Sequence, residues 1–150
     1  MKKVSLRHVT RDDWRFILSL RNQNSVRTTC HDTSKINYSD HTIYMESLEK
    51  NSNAYHWIVT FDKMDVGYIK IIDLEFGSSI KDGYQGMGIG TKAYSLVFKE
   101  AKKLGLSKLT ASVKIDRLTP LKFEEKTGWK KIGLDYKNNV LYGHKLERIL

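Results

Sequence analysis

Proline and cysteine each occur once in this chain of 150 residues. The lone cysteine, Cys30, excludes an internal disulfide framework and any zinc site built from several thiolates. No nucleophile motif surrounds it, so it reads as a small, unreactive side chain. One proline and 10 glycines exclude collagen-like and proline-rich linker segments. Long apolar runs are missing as well. No stretch approaches the ~20 residues of a membrane helix, and Met1-Lys2-Lys3 is followed by no signal-peptide core. A soluble, cytoplasmic protein without membrane partners is expected. The five histidines lack metal-ligand spacing, so no metal is expected. Acidic residues are the minority: 26 Lys and Arg stand against 17 Asp and Glu, a formal charge of +9. That sign suits nucleic acid, an acidic membrane or a phosphorylated small molecule. The basic residues are scattered (Arg7, Lys102-Lys103, Lys130-Lys131, Arg148), with no aromatic-basic RNA motif, so nucleic acid is not the expected partner.

What is present is enough for one core. Hydrophobic residues make up 40% and aromatics 11% of the chain, and its length suits a single domain over residues 1–150. Residues 3–8 read as a strand. Thr10 and Asp13 form a capping box for a helix that runs to about Asn22. Residues 23–38 are polar and irregular. A second helix is expected from Ser39, with Tyr38 and Ile43 as a hydrophobic staple. Strand-like runs follow: Ala54 to Phe61, Val66 to Ile72 after a turn at 62–65, and Glu75 to Lys81. A helix is predicted from Gly88 to about Leu104. Ile89, Ala93, Leu96, Val97 and Leu104 share its inner face, and Gly105 caps its end. Leu109 to Ile115 is a strand, Thr119-Pro120 opens a helix that Gly128 ends, and two last strands cover Trp129 to Tyr136 and Val140 to Leu146. The whole is a mixed α/β sheet with helices on its faces.

The most informative segment is Gln85-Gly86-Met87-Gly88-Ile89-Gly90-Thr91, between a strand and an amphipathic helix. Glycines allow positive φ and close backbone approach, and free N–H groups at a helix start suit a pyrophosphate. A Walker loop does not fit, because Gly88 is followed by Ile89-Gly90 and not Lys-Ser/Thr. Gly88-Ile89-Gly90-Thr91-Lys92-Ala93 matches the dinucleotide pattern G-x-G-x-x-A, but mid-chain and with too few βα units after it. The third reading is the Q/R-x-x-G-x-G/A turn of acetyl-CoA-dependent acetyltransferases, here Gln85, Gly88 and Gly90.

With this turn, Asp116-Arg117-Leu118-Thr119 downstream and Glu125-Lys126-Thr127-Gly128-Trp129 after it, nearly the whole chain resembles the GNAT superfamily of N-acetyltransferases. The resemblance implies a mostly antiparallel sheet of about seven strands, helices on both faces and a splayed central strand pair. It implies acetyl-CoA as co-substrate. Backbone amides of Gln85, Gly86, Met87, Gly88, Ile89, Gly90 and Thr91 would cradle the pyrophosphate, and Ser79 and Ile80 on the splayed strand would pair with the pantetheine. Asp116, where the family has Asn, and Lys126 would lie near the pantetheine and the phosphate-adenine end.

Acetyl transfer needs a neutral amine, a polarised carbonyl and a stabilised thiolate. Glu75, at the start of the splayed strand, is the first candidate base and Asp73 the second. Many relatives place a Tyr acid where this chain has Glu124; the acid is then Glu124, a group elsewhere or water, or the thiolate leaves as such. Spacing does not single out Tyr94 or Tyr84. The acceptor pocket is expected from residues 21–50 and the last hairpin; Arg21-Asn22-Gln23-Asn24-Ser25-Val26-Arg27 and Ile36-Asn37-Tyr38-Ser39-Asp40-His41 resemble the branch that acetylates nucleotide-linked amino sugars and, less closely, the ribosomal-protein N-terminal acetyltransferases. Arg21, Asn22, Arg27 and His41 are the candidate acceptor-binding residues, the two arginines as diphosphate grips and His41 as a possible base. The acceptor is expected to be a nucleotide-linked amino sugar, with a protein N-terminus or another small amine as the rival acceptor and a non-catalytic acetyl-CoA-binding or a nucleic-acid-binding domain as rivals of another class. A monomer or homodimer is expected.

Overall fold

The computed structural model describes residues 3–30, 32–114 and 128–150. Strand β1 is Val4–His8, followed by a 3₁₀ turn at Arg11–Asp13 and helices α1 (Trp14–Arg21), α2 (Asn24–Arg27) and α3 (Tyr38–Lys50). Strands β2 (Ala54–Phe61), β3 (Met64–Ile72) and β4 (Glu75–Ile80) lead to helix α4 (Ile89–Lys103). Strands β5 (Lys108–Lys114), β6 (Lys130–Lys137) and β7 (Val140–Ile149) complete one seven-stranded sheet in the order β1-β2-β3-β4-β5-β7-β6. Every neighbouring pair is antiparallel except β4 and β5. The helix expected from Thr119 lies outside the described residues. None of the described helices is long and apolar enough to cross a membrane.

Strand alternation sends side chains to two different cores. Helix α4 covers one face with Ile89, Ala93, Tyr94, Val97, Phe98 and Ala101, packed on Trp57, Val59, Ile69, Ile71, Phe76, Leu109 and Leu146. Helices α1 and α3 cover the other with Trp14, Ile17, Leu20, Met45 and Leu48, packed on Ile58 and Tyr68. Three short turns join strands through pairs of residues with positive φ: Asp62-Lys63, Asp73-Leu74 and Asn138-Asn139. These are the two-residue hairpin turns whose twist matches that of the strands.

Several boundaries differ from expectation for identifiable reasons. The hairpin turn takes only Asp62 and Lys63, so Met64 and Asp65 already belong to β3. The irregular segment 23–38 contains the one-turn helix α2. Helix α3 starts at Tyr38 because the Asn37 side chain accepts the Asp40 N–H at 2.8 Å. Tyr38 and Ile43 are both exposed and form no staple; the Arg15 guanidinium lies 4.1 Å over the Tyr38 ring instead. Leu104 is exposed at the C-cap of α4, where the chain leaves the helix through Gly105 at φ 86°. Strand β7 runs three residues past Leu146, because Glu147 to Ile149 pair with β5.

One ionic cluster ties the first strand to the rest. Arg7 donates to both carboxylate oxygens of Asp13 at 2.9 and 2.7 Å and to Asp65 at 2.9 Å. Asp13 is buried and also accepts the Thr10 N–H at 2.8 Å. The Arg7 hydrogen bonds hold the Asp13 carboxyl below the usual carboxylate range. The folded state therefore binds that proton less readily than the unfolded chain. The stabilisation is complete at neutral pH and is lost as pH falls from about 4 through the lower folded value. Asp13→Asn should lower stability by about 2 kcal/mol, an exposed Arg7 edge limiting the loss. It should also flatten the acid limb of the stability curve. Urea midpoints from pH 3 to 7 test both.

Candidate active site

Strands β4 and β5 meet at one register position, Glu75 against Thr110, supported by the Thr110 N–H on the Leu74 carbonyl at 2.9 Å. Beyond it they part. Strand β4 stays paired with β3 from Glu75 to Ile80, and β5 stays paired with β7 from Lys108 to Lys114. Alternate N–H and C=O groups of residues 76–79 thus face a gap instead of a neighbouring strand. Contact between β3 and β4 is close: a Cβ on Gly67 would stand 2.8 Å from Ile80 Cδ1 and 2.9 Å from the Ser79 carbonyl. Only glycine at this position lets β4 stay this close to β3.

The gap opens into a cavity of about 850 Å³ that reaches both faces of the sheet. Tyr94 from α4 lines one side and hydrogen-bonds its hydroxyl to Ser78 Oγ. Tyr68, Lys70, His41 and Tyr44 line the side under α1 and α3. The Lys70 stem lies over Gly77, where a Cβ would come within 3.3 Å of its Cε, and its Nζ donates to the Tyr44 hydroxyl at 3.0 Å. A smaller cavity of about 470 Å³ adjoins at the closed end of the gap. The two share Tyr44, Lys70, Phe76, Gly77, Ala111 and Ser112. The smaller one adds Asp73, Glu75 and Asp135.

The glycine turn stands at the open end. Gly83, Gly86 and Gly88 have φ of 92°, 74° and 79°, and Gly88 is the left-handed N-cap of α4. A Cβ at 86, 88 or 90 would meet nothing within 4 Å. Gly86 and Gly88 are therefore required by conformation, whereas Gly90 is required by neither conformation nor packing. The first turn of α4 has no acidic residue and no side-chain cap. Its leading N–H groups and the positive end of the helix dipole face open space. Behind, the turn is braced. Gln23 accepts the Asp82 N–H at 2.8 Å and donates to the Ile80 carbonyl at 3.2 Å. Ser25 donates to Asp82 at 2.7 Å, and Gln85 donates to the Ile80 carbonyl at 3.1 Å.

Ile80 and Gln85 through Thr91 thus follow one another along the open edge of β4 and the start of α4, whereas Ser79, expected on that edge, turns its carbonyl toward Gly67 of β3. Glu75 is exposed and lines the smaller cavity with Asp73. Asp116, Glu124 and Lys126 lie outside the described residues. Arg21 and His41 line the larger cavity. His41 is buried; its Nε2–H donates to the Trp14 carbonyl at 2.8 Å, tying α3 to α1, and burial pushes the imidazole below its ordinary value. Arg21 gives Nη2 to the Asp32 carbonyl at 2.9 Å, while Nη1 is buried with no hydrogen-bond partner. Asn22 and Arg27 do not line the cavity. Asn22 pairs its amide with both backbone groups of Ile36 at 2.9 Å, and Arg27 donates to the carbonyls of Asn22 and Thr33, each at 3.1 Å. They pin the segment before α3. Sequence reasoning missed Gln23, Ser25, Tyr68, Lys70 and Tyr94. The available signal was a phenol on the core face of an element, since a buried tyrosine hydroxyl needs a partner.

Comparison with solved structures gives the same architecture. A domain from Methanocaldococcus jannaschii DSM 2661 superposes with a TM-score of 0.84 at 22% identity, over 100% of both chains. Spermidine N-acetyltransferase from Vibrio cholerae, in complex with CoA and spermine, superposes with a TM-score of 0.82 at 18% identity, over 97% of this chain and 95% of that one. Ribosomal-protein-alanine N-acetyltransferase from Brucella melitensis gives 0.78 at 15% identity, over 97% and 99%. At such identities the likeness concerns the fold. No protein of curated function matches the chain in sequence. The family model of the acetyltransferase (GNAT) domain matches residues 3–130, which the splayed strands and the glycine turn occupy, and the chain therefore belongs to the GNAT acetyltransferase family.

Proposed function

We propose that the chain moves acetyl from acetyl-CoA to a primary amine by direct attack in a ternary complex, and that the acceptor is anionic, as a nucleotide-linked amino sugar is. The reading rests on one observation above the others: the unpaired edge of β4 leads directly to the uncapped start of α4. Amide groups of an extended ligand suit the free edge of β4 at Ser78 and at the Ile80 N–H, since the Ser79 carbonyl turns toward Gly67 of β3 and the Ile80 carbonyl already accepts from Gln23 and Gln85; a pyrophosphate suits the N–H groups from Gln85 to Thr91. The gap then holds the reacting thioester, with backbone donors available to its carbonyl oxygen.

Charge supports the acceptor class. Arg21, Lys70 and Lys114 line the larger cavity, and no carboxylate of a described residue does. Arg21 Nη1 is buried without a partner, a position that an acceptor oxygen would satisfy. A polyamine would meet cations of its own sign there. The adjoining cavity mixes the carboxylates Glu75, Asp73 and Asp135 with Lys70, Lys137 and Lys145; Asp135 is engaged by Ser112 and Lys137, which leaves Glu75 and Asp73 for the ammonium end of the acceptor. Glu75 is the carboxylate proposed to take the ammonium proton, directly or through water.

Acetyl-CoA at 100 times its Kd should raise stability by about 2.7 kcal/mol, read as a rise in Tm. Gly90→Glu should leave the free protein as stable or slightly more so, since a carboxylate in a first helical turn is favourable. It should nevertheless abolish the acetyl-CoA shift. A surviving shift would remove the turn from the site. Thiol release should favour amines that carry phosphate or carboxylate over spermidine. Arg21→Gln should raise the acceptor KM about tenfold, a loss of about 1.4 kcal/mol, with the acetyl-CoA KM unchanged. Higher kcat/KM for spermidine than for any anionic amine would overturn the acceptor class.

A further inference from the structure

An ammonium must lose two protons to become an amide. The first leaves before attack, when the free base forms. The second leaves once the nitrogen has bonded to the carbonyl carbon. These losses occur at different moments and need not use the same group. The site offers separate candidates for them at separate places along the gap.

Glu75 is exposed at the closed end. Tyr68 is different in kind. It sits in the middle of β3, paired with Ser79 of β4, and is 5% exposed, yet its side chain lines the larger cavity. Its hydroxyl lies 2.9 Å from His56 Nδ1 on β2. His56 is only half-buried, so the pair runs from the cavity through one phenol to an imidazole that can exchange with solvent. A phenol hydroxyl both donates and accepts, so it passes a proton without holding a charge.

We propose, on the basis of the acetyl-transfer reading above, that Tyr68 and His56 form the exit for the second proton. As the acceptor nitrogen bonds to the acetyl carbon, its N–H bond breaks and the proton passes to the Tyr68 oxygen. The original Tyr68 proton passes to His56 Nδ1. The C–S bond breaks with its electron pair on sulfur. An imidazolium and a thiolate result, and both are neutralised through solvent. Nδ1 accepts in the tautomer that carries hydrogen on Nε2.

The surroundings suit each role. Burial raises the Tyr68 phenol far above its ordinary value, with the Tyr44 hydroxyl of α3 adding to the rise, so the hydroxyl keeps its proton between turnovers. Burial also lowers His56, helped by Lys70 of β3 and His8 of β1. Asp13 of the 3₁₀ turn and Glu49 of α3 oppose the shift without reversing it. The imidazole is therefore neutral at physiological pH, with Nδ1 able to accept.

The test is kcat for thiol release from pH 6 to 9.5 in the wild type, Tyr68→Phe, His56→Asn and Glu75→Gln, each first shown to keep its acetyl-CoA thermal shift. Tyr68→Phe should lower kcat about 10²-fold at every pH, because raising the pH supplies free amine but not an acceptor for the second proton. His56→Asn keeps a side-chain partner for the Tyr68 hydroxyl at the Nδ1 position and should lose a similar factor. Glu75→Gln should lose activity mainly at low pH and recover as the pH rises. Wild-type kcat in Tyr68→Phe or His56→Asn would overturn the relay, as would a Tyr68→Phe loss that fades at high pH as the Glu75→Gln loss does. A wild type that binds acetyl-CoA but releases no thiol with any amine would instead overturn the acetyl-transfer reading, and the relay with it.

Discussion

Strand β4 satisfies its two neighbours very unequally. It is in register with β3 along its whole length and with β5 at one residue. A sheet of seven strands is therefore two smaller sheets hinged at Glu75 and Thr110 and held together elsewhere by α4 and its apolar face. Backbone polar groups inside a protein ordinarily find partners in the ladder. Here a row of them is left facing a gap. The cavity, the access to both faces and the position of the glycine turn all depend on that parting.

The two faces then do different chemistry because they are built differently. Under α4 the packing is aromatic and aliphatic: Phe76, Tyr94, Phe98 and Trp129 contact one another edge-on or tilted. Under α1 and α3 the apolar cluster gives way near the gap to Tyr68, His41, Lys70 and Tyr44. Polar residues in such a setting are tolerated because each has a partner: Trp14 for His41, His56 for Tyr68, Tyr44 for Lys70. The segment between α1 and α3 contributes less by lining the site than by bracing it. Asn22 and Arg27 hold their own loop, while Gln23 and Ser25 reach across to hold the turn before α4.

Much of this was legible from the chain. Helix α4, its N-cap at Gly88 and the strands on either side follow from periodicity and glycine placement, which are local signals. The parting of β4 from β5 is not local. It shows only in register, and nothing in Phe76-Gly77-Ser78-Ser79 distinguishes a paired strand from a half-paired one; the family resemblance supplied that expectation. Tyr68 was invisible for another reason. In Gly67-Tyr68-Ile69-Lys70-Ile71 a phenol reads as core filling, and only the three-dimensional neighbour, His56, gives it chemical meaning. Arg27 misled in the opposite sense. An arginine among polar residues looks available, whereas its nitrogens are taken by carbonyls that a sequence does not reveal. The staple at Tyr38 and Ile43 failed because the cap lies two residues earlier than Ser39, at Asn37.

The hinge itself hangs on a two-residue turn. Leu74 has φ 74°, a left-handed conformation that costs a side chain of this kind about 1–2 kcal/mol, and its carbonyl is the one that accepts from Thr110. That turn meters the whole of β4. One residue inserted between Asp73 and Glu75 would exchange the faces of every side chain that follows, sending Ser78 away from Tyr94 and bringing a side chain to the spot that Lys70 crosses. The length of this turn therefore sets which side chains of β4 reach the cleft.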